Sequence, residues 1–167
     1  MPDSDIDVWQ RYCAAENAFI ELRMRLAKDV ADLTGLIRGA LHRVIDRGNA
    51  LRLLVILPVD ASLPHLDRLV FLSSVAHGDI EPSRVLLGRL HARGYRDLIA
   101  RAADDVLANG GVEEFRRIAE LYAEIDPVLL RAHLDRCALS PDPEIQEISA
   151  DFAAPVPPAP ASEREPG

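Results

Sequence analysis

The chain has 167 residues, enough for one well-filled core or a short stack of helices without disulfides. Apolar residues make up 49%, mostly Ala and Leu, but aromatics only 5%; Ala, Leu, Arg and Glu all favour helices, so an all-α fold is expected. The net charge of −8 favours solubility and, for the chain as a whole, repels nucleic acid and anionic membranes.

Cys13 and Cys137 stand far apart with no neighbouring cysteine, so they read as small apolar residues; no metal site and no cofactor is expected. No apolar run approaches the ~18 residues that a membrane span needs. Met1–Ser4 leads into an acidic segment with no basic-then-apolar leader pattern, and a cytoplasmic location is expected. Lys28 is the only lysine among 19 basic residues, a bias that looks like GC-rich coding and a bacterial source.

In chain order, residues 5–47 read as a long helical segment capped by Ser4 or Asp5. Val8, Tyr12, Ala15, Phe19, Leu22 and Leu26 fall on a heptad seam that Asp29 interrupts. Thr34–Gly35 is the expected break. This segment is expected to cap the stack that follows, and it is the candidate surface for homo-oligomerisation. Gly48–Asn49 closes it. A short helix over residues 50–57 stops at Pro58, and Ser62 is expected to cap a helix over 63–76, with Pro64 in its first turn. His77–Gly78 ends that helix, and Pro82 opens one reaching Arg93, with Gly94 as its left-handed terminal residue. Helices over 95–108, 112–125, 127–139 and 144–153 follow, separated by Asn109–Gly110–Gly111, the Asp126–Pro127 cap and Ser140–Pro141–Asp142–Pro143. Residues 154–167, rich in proline and alanine, cannot bury a core and read as a disordered tail.

The helices echo at about 32 residues. At an offset of 64, Leu51 meets Phe115, Leu54 meets Ile118, Leu57 meets Leu121, Leu66 meets Leu130 and Val75 meets Leu139. At half that offset Leu54 meets Leu86 and Leu66 meets Leu98. Such a period marks stacked helical hairpins, each unable to bury its apolar face alone. The expected organisation is an N-terminal helical segment over residues 1–47, helical hairpins over 48–153 and the tail over 154–167.

Residues 113–152 resemble a repeat of the HEAT or armadillo type. A first helix carries Phe115, Ile118, Ala119, Leu121 and Tyr122, and a second opens at Asp126–Pro127 with Leu129, Leu130 and Leu134. The stretch Ala138-Leu139-Ser140-Pro141-Asp142-Pro143-Glu144-Ile145-Gln146-Glu147-Ile148 is similar to the turn between HEAT repeats. The resemblance implies a short α-solenoid. It also implies a ladder between an Asp in the turn and a basic residue; Asp142 fits, but Gln146 stands where the basic residue belongs. The tetratricopeptide pattern fits less well, because Arg131 and Asp135 occupy its small or aromatic positions.

The densest charge cluster is Arg84, Arg89, Arg93, Arg96 and Arg101, joined by His91 and the aromatic Tyr95. On one surface these arginines would grip phosphate or an acidic protein; alternatively they pair with Asp97, Asp104 and Asp105. HEAT-like DNA glycosylases use a basic groove of this kind, so the resemblance implies a nucleic-acid-binding or repair enzyme as the alternative function. Acids gather at the other end, at Glu113, Glu114, Glu120, Glu124, Asp126, Asp142, Glu144, Glu147 and Asp151. His42, His65, His77, His91 and His133 have no metal-ligand spacing, and Ser73–Ser74 lacks a nucleophile elbow. The expected function is therefore a non-catalytic protein-binding module, with the five arginines as its binding residues. A protein partner is expected, nucleic acid and membrane are not, and an immunity or antitoxin role is one form it takes.

Overall fold

The computed structural model describes residues 4–75 and 78–153. His77 and the 154–167 segment lie outside the described residues. Within them every regular element is helical, and no helix is long and apolar enough to cross a membrane.

Helix α1 (Asp5–Asp29) opens with a reciprocal cap: the Asp7 N–H donates to the Ser4 hydroxyl at 3.2 Å, and the Ser4 N–H donates to the Asp7 carboxylate at 3.1 Å. The chain breaks at Val30–Asp32, slightly before the expected Thr34–Gly35. Asp32 caps α2 (Leu33–His42) by accepting from the Gly35 N–H at 2.8 Å. The Asp32 carboxylate fills the place a Cβ at position 35 would need. Gly35 is thus part of the cap and not the end of a helix.

Helix α3 (Val44–Ile56) runs through Gly48–Asn49, which was expected to end a segment. A mid-helix glycine costs about 1 kcal/mol relative to alanine. Burial of Ala50, Leu51 and Leu54 one turn on holds the helix together. Asp79, which pairs with Arg47 at 3.9 Å, lies 3.4 Å from where a Gly48 Cβ would stand.

The expected helix over 63–76 is replaced by a 3-10 stretch, Val59–His65, and a shorter α4 (Leu66–Ser73). Pro64 has no N–H to donate and disfavours α geometry at Leu63, so regular α-helix begins only after it. Ser62 caps nothing; it is buried within the 3-10 stretch.

The remaining punctuation follows the sequence closely. Helix α5 (Ile80–Ala92) ends at Gly94, whose φ of 91° lets the Tyr95 N–H return to the Leu90 carbonyl at 3.2 Å. Helices α6 (Arg96–Leu107) and α7 (Val112–Ile125) flank Asn109–Gly110–Gly111, and the Gly111 N–H donates to Glu114 at 2.8 Å. Asp126 caps α8 (Pro127–Ala138), accepting from the Val128 and Leu129 N–H groups at 2.8 and 3.1 Å. Asp142 accepts from the Glu144 N–H at 2.9 Å at the start of α9 (Pro143–Ala153).

Neighbouring helices pack: α2 on α3, α4 on α5, α7 on α8 and α8 on α9. Contacts also skip one element, with α3 against α5, α5 against α7, α7 against α9, and α4 against α6. Leu54, Leu86 and Ile118, spaced by 32, are all at most 1% exposed at the centre of one core. Each such side chain contributes about 1.5–3 kcal/mol by leaving water. The Val75–Leu139 correspondence does not extend to the core: Leu139 follows the end of α8 and is 86% exposed.

Candidate functional site

The arginines of the α5–α6 hairpin point to four different neighbours. Arg84, 8% exposed, spreads its guanidinium between α7 carboxylates: Nη2 to Glu120 Oε2 at 2.7 Å and Nη1 to Glu124 Oε1 at 2.8 Å. Nη2 also donates to the Arg117 carbonyl at 3.3 Å. Arg89 donates to the Val55 and Leu57 carbonyls, neutralising the exposed carbonyl end of α3. Arg93 approaches Asp60 at 3.7 Å with both side chains exposed, a contact of little energetic weight. The Tyr95 hydroxyl donates to the same carboxylate at 3.2 Å. Arg96 pairs with Asp126 at 2.9 Å, and Arg101 is exposed. Asp97 and Asp105 are not among these partners, and Asp104 pairs instead with Arg136 of α8 at 2.9 Å.

Asp126 is the hub of this network. Its Oδ1 caps α8 while its Oδ2 takes His91 Nε2 at 2.8 Å and Arg96 Nε at 2.9 Å. Burial would raise its pKa, but the His91 hydrogen bond, the two backbone N–H groups and the Arg96 charge together hold it below the usual carboxylate value. Much of the acidic end is engaged in the same way. Glu114 caps α7, Glu120 and Glu124 take Arg84, and Asp151 takes Arg116 at 2.8 Å. Asp142 serves as a cap and makes no ladder; Gln146 donates to the Ser140 carbonyl at 2.7 Å within its own turn.

His65 and His133 are buried, at 3% and 5% exposure. His133 Nε2 lies 2.9 Å from the Phe115 carbonyl, so it carries the proton, and the ring packs beside Phe115 and Tyr122. Burial pushes both pKa values down, assisted by Arg38 at His65 and by Arg136 at His133. The unfolded chain therefore binds these protons first, and stability falls as pH drops below about 6.5, by up to about 1.4 kcal/mol per pH unit for each ring. Urea midpoints measured between pH 7.5 and 5 should fall accordingly. His65→Leu should flatten the slope; an unchanged slope would exclude His65 as a source.

An apolar groove lies elsewhere, only partly legible in the sequence as the heptad seam. Phe19, Leu22 and Leu26 of α1 face Leu36, Ile37 and Leu53 of α2 and α3 across a groove of about 460 Å³. Arg23, Arg43 and Arg52 stand on its rim. Arg43 is held by Asp46 at 2.6 Å and Arg52 by the Asn49 amide at 2.7 Å; Arg23 lies over the Phe19 ring. A second apolar hollow of about 440 Å³, walled by Val55, Ile56, Pro82 and Val85, shares Arg23 and Arg52 with it. No residue of α1 is buried, and Ile6, Trp9, Tyr12 and Met24 are each more than half exposed.

The arrangement offers an apolar trough with guanidinium groups on its edge, suited to holding an amphipathic segment. Four of the five arginines, by contrast, are engaged with separate partners inside the fold. Comparison with known protein families, with curated proteins and with solved structures yields no match to the chain.

Proposed function

We propose that this chain is a non-catalytic protein-interaction module built on a short helical-repeat stack, and that the α1–α3 groove is its binding surface. The observation that carries this reading is the groove itself: contiguous exposed apolar surface of this kind marks a contact site for another chain. The rim arginines would orient an acidic amphipathic partner and speed its arrival more than they would tighten it.

The repeat reading is supported by how the polar contacts between helices are spaced. Arg84–Glu120, Arg116–Asp151, His91–Asp126 and Arg136–Asp104 join residues separated by 36, 35, 35 and 32 positions. Arg84 and Arg116 lie 32 apart, and each grips an acid on the next-but-one helix. A HEAT-like solenoid makes contacts between corresponding places in successive hairpins in this way. The nucleic-acid alternative needs Arg84, Arg89, Arg93, Arg96 and Arg101 to act together, and their dispersal onto separate partners weighs against it.

Leu36→Glu tests the reading. Leu36 is 46% exposed on the groove wall, so the fold should survive, checked by circular dichroism. A partner cross-linked to the wild-type chain in host extract should be lost from this variant and retained by Arg101→Glu. A partner held equally by all three would remove the groove from the function.

A further inference from the structure

Resting on the reading of the groove as a protein-binding surface, we propose that its occupant is the amino-terminal half of α1 from a second copy of this chain. The two α1 helices then run antiparallel and fill each other's grooves. Only the carboxy-terminal half of α1 borders its own groove, through Phe19, Leu22 and Leu26. The other half carries Ile6, Val8, Trp9 and Tyr12 into solvent. A continuous helix of 25 residues is ~37 Å long and cannot fold back on itself, so an α1 amino-terminal half can reach such a trough only in another molecule.

The seam is self-complementary when reversed. About Asn17, the middle of α1, Val8 comes opposite Leu26, Tyr12 opposite Leu22 and Ala15 opposite Phe19, apolar against apolar in every layer. Charge selects the same direction. Residues 5–16 hold Asp5, Asp7 and Glu16 against Arg11, while residues 17–29 hold Arg23, Arg25 and Lys28 against Glu21 and Asp29. Antiparallel pairing sets the acidic half on the basic half, where the groove lining adds Arg52, Arg43 being paired with Asp46; parallel pairing would set like on like. The helix dipoles favour the antiparallel arrangement too.

The size is adequate. One flank of a helix this long presents on the order of 550 Å². The α2 and α3 walls supply the remainder of the roughly 800 Å² per partner that a stable interface needs. The contact is the same on both copies, so it closes as a two-fold dimer and does not propagate.

Sedimentation of the full chain should give twice its 18.4 kDa. Trp9 is the sole tryptophan and is 64% exposed in the single chain, so its emission should move to the blue as concentration rises. Leu22→Glu should weaken self-association about 100-fold while leaving the helical signal intact, because α1 contributes nothing to the core. In a Cys13→Ser background, a chain carrying both Val8→Cys and Leu26→Cys should oxidise to a covalent dimer, and Val8→Cys alone should not.

A monomer at every concentration, with Trp9 emission constant, would overturn the second copy as occupant. If that monomer still captured a different protein in a Leu36-dependent way, the protein-binding reading would stand without the dimer; with no such capture both would fall. A dimer indifferent to Leu22→Glu, or one cross-linked by Val8→Cys alone, would also overturn the proposal.

Discussion

Replacing Asp126 with alanine is expected to lower the unfolding free energy by about 2–3 kcal/mol. The carboxylate is 7% exposed and does two things at once. It accepts two backbone N–H groups at the start of α8, and loss of such a cap costs about 1 kcal/mol. It also joins α5 and α6 to α8 through His91 and Arg96. Those partners keep 26% and 42% of their side-chain exposure, so each contact contributes only about 0.5–1 kcal/mol. Asp126→Asn separates the two roles. The amide still caps the helix but carries no charge, so urea unfolding should place it between wild type and Asp126→Ala. If both variants matched wild type, the hub would have no energetic role.

Arg84→Ala is expected to cost about 2 kcal/mol, below the usual range for a broken buried pair because Glu124 is 46% exposed and Glu120 28%. Part of the loss is the packed aliphatic stem. Arg84→Lys should restore less than half, since an ammonium cannot fork between Glu120, Glu124 and the Arg117 carbonyl. The effect carries a pH signature. Burial would raise the Glu120 pKa, but hydrogen bonds and charge from Arg84 and Arg117 bring it below its ordinary value. A depressed carboxylate stabilises the fold above its unfolded pKa, and that contribution is lost as pH falls through the folded value. The gap between wild type and Arg84→Ala should therefore narrow in acid; a gap independent of pH would assign the loss to packing alone.

These two variants also bear on the arginine cluster as a site. Arg84, Arg89 and Arg96 hold helices together, so their substitution changes stability before it changes any interaction. Arg101 can be altered without that confusion, which makes it the appropriate control for any test of charge-driven binding.

Features that depend on a few adjacent residues are legible along the chain. Gly94, Gly111, Asp126–Pro127 and Asp142–Pro143 end or start helices because φ freedom, a missing N–H or a capping carboxylate acts within one turn. The apolar spacing of Leu54, Leu86 and Ile118 likewise marked the buried faces, since helical period alone brings such residues to one side. Two local signals were outweighed. Gly48 looked like a terminator, yet burial of Ala50, Leu51 and Leu54 exceeds its cost, and Pro64 turned an expected α-helical start into a 3-10 stretch. The partners of the charged side chains follow from packing between distant helices. Arg84 meets Glu120 and Glu124 at separations of 36 and 40 residues, and nothing in the run Arg84–Arg101 announces which helix will stand opposite. Tertiary packing decided the fate of the heptad seam as well. An amphipathic helix reads the same whether its apolar stripe is covered or bare, and packing left α1 without a buried residue while burying side chains of every helix from α2 onward.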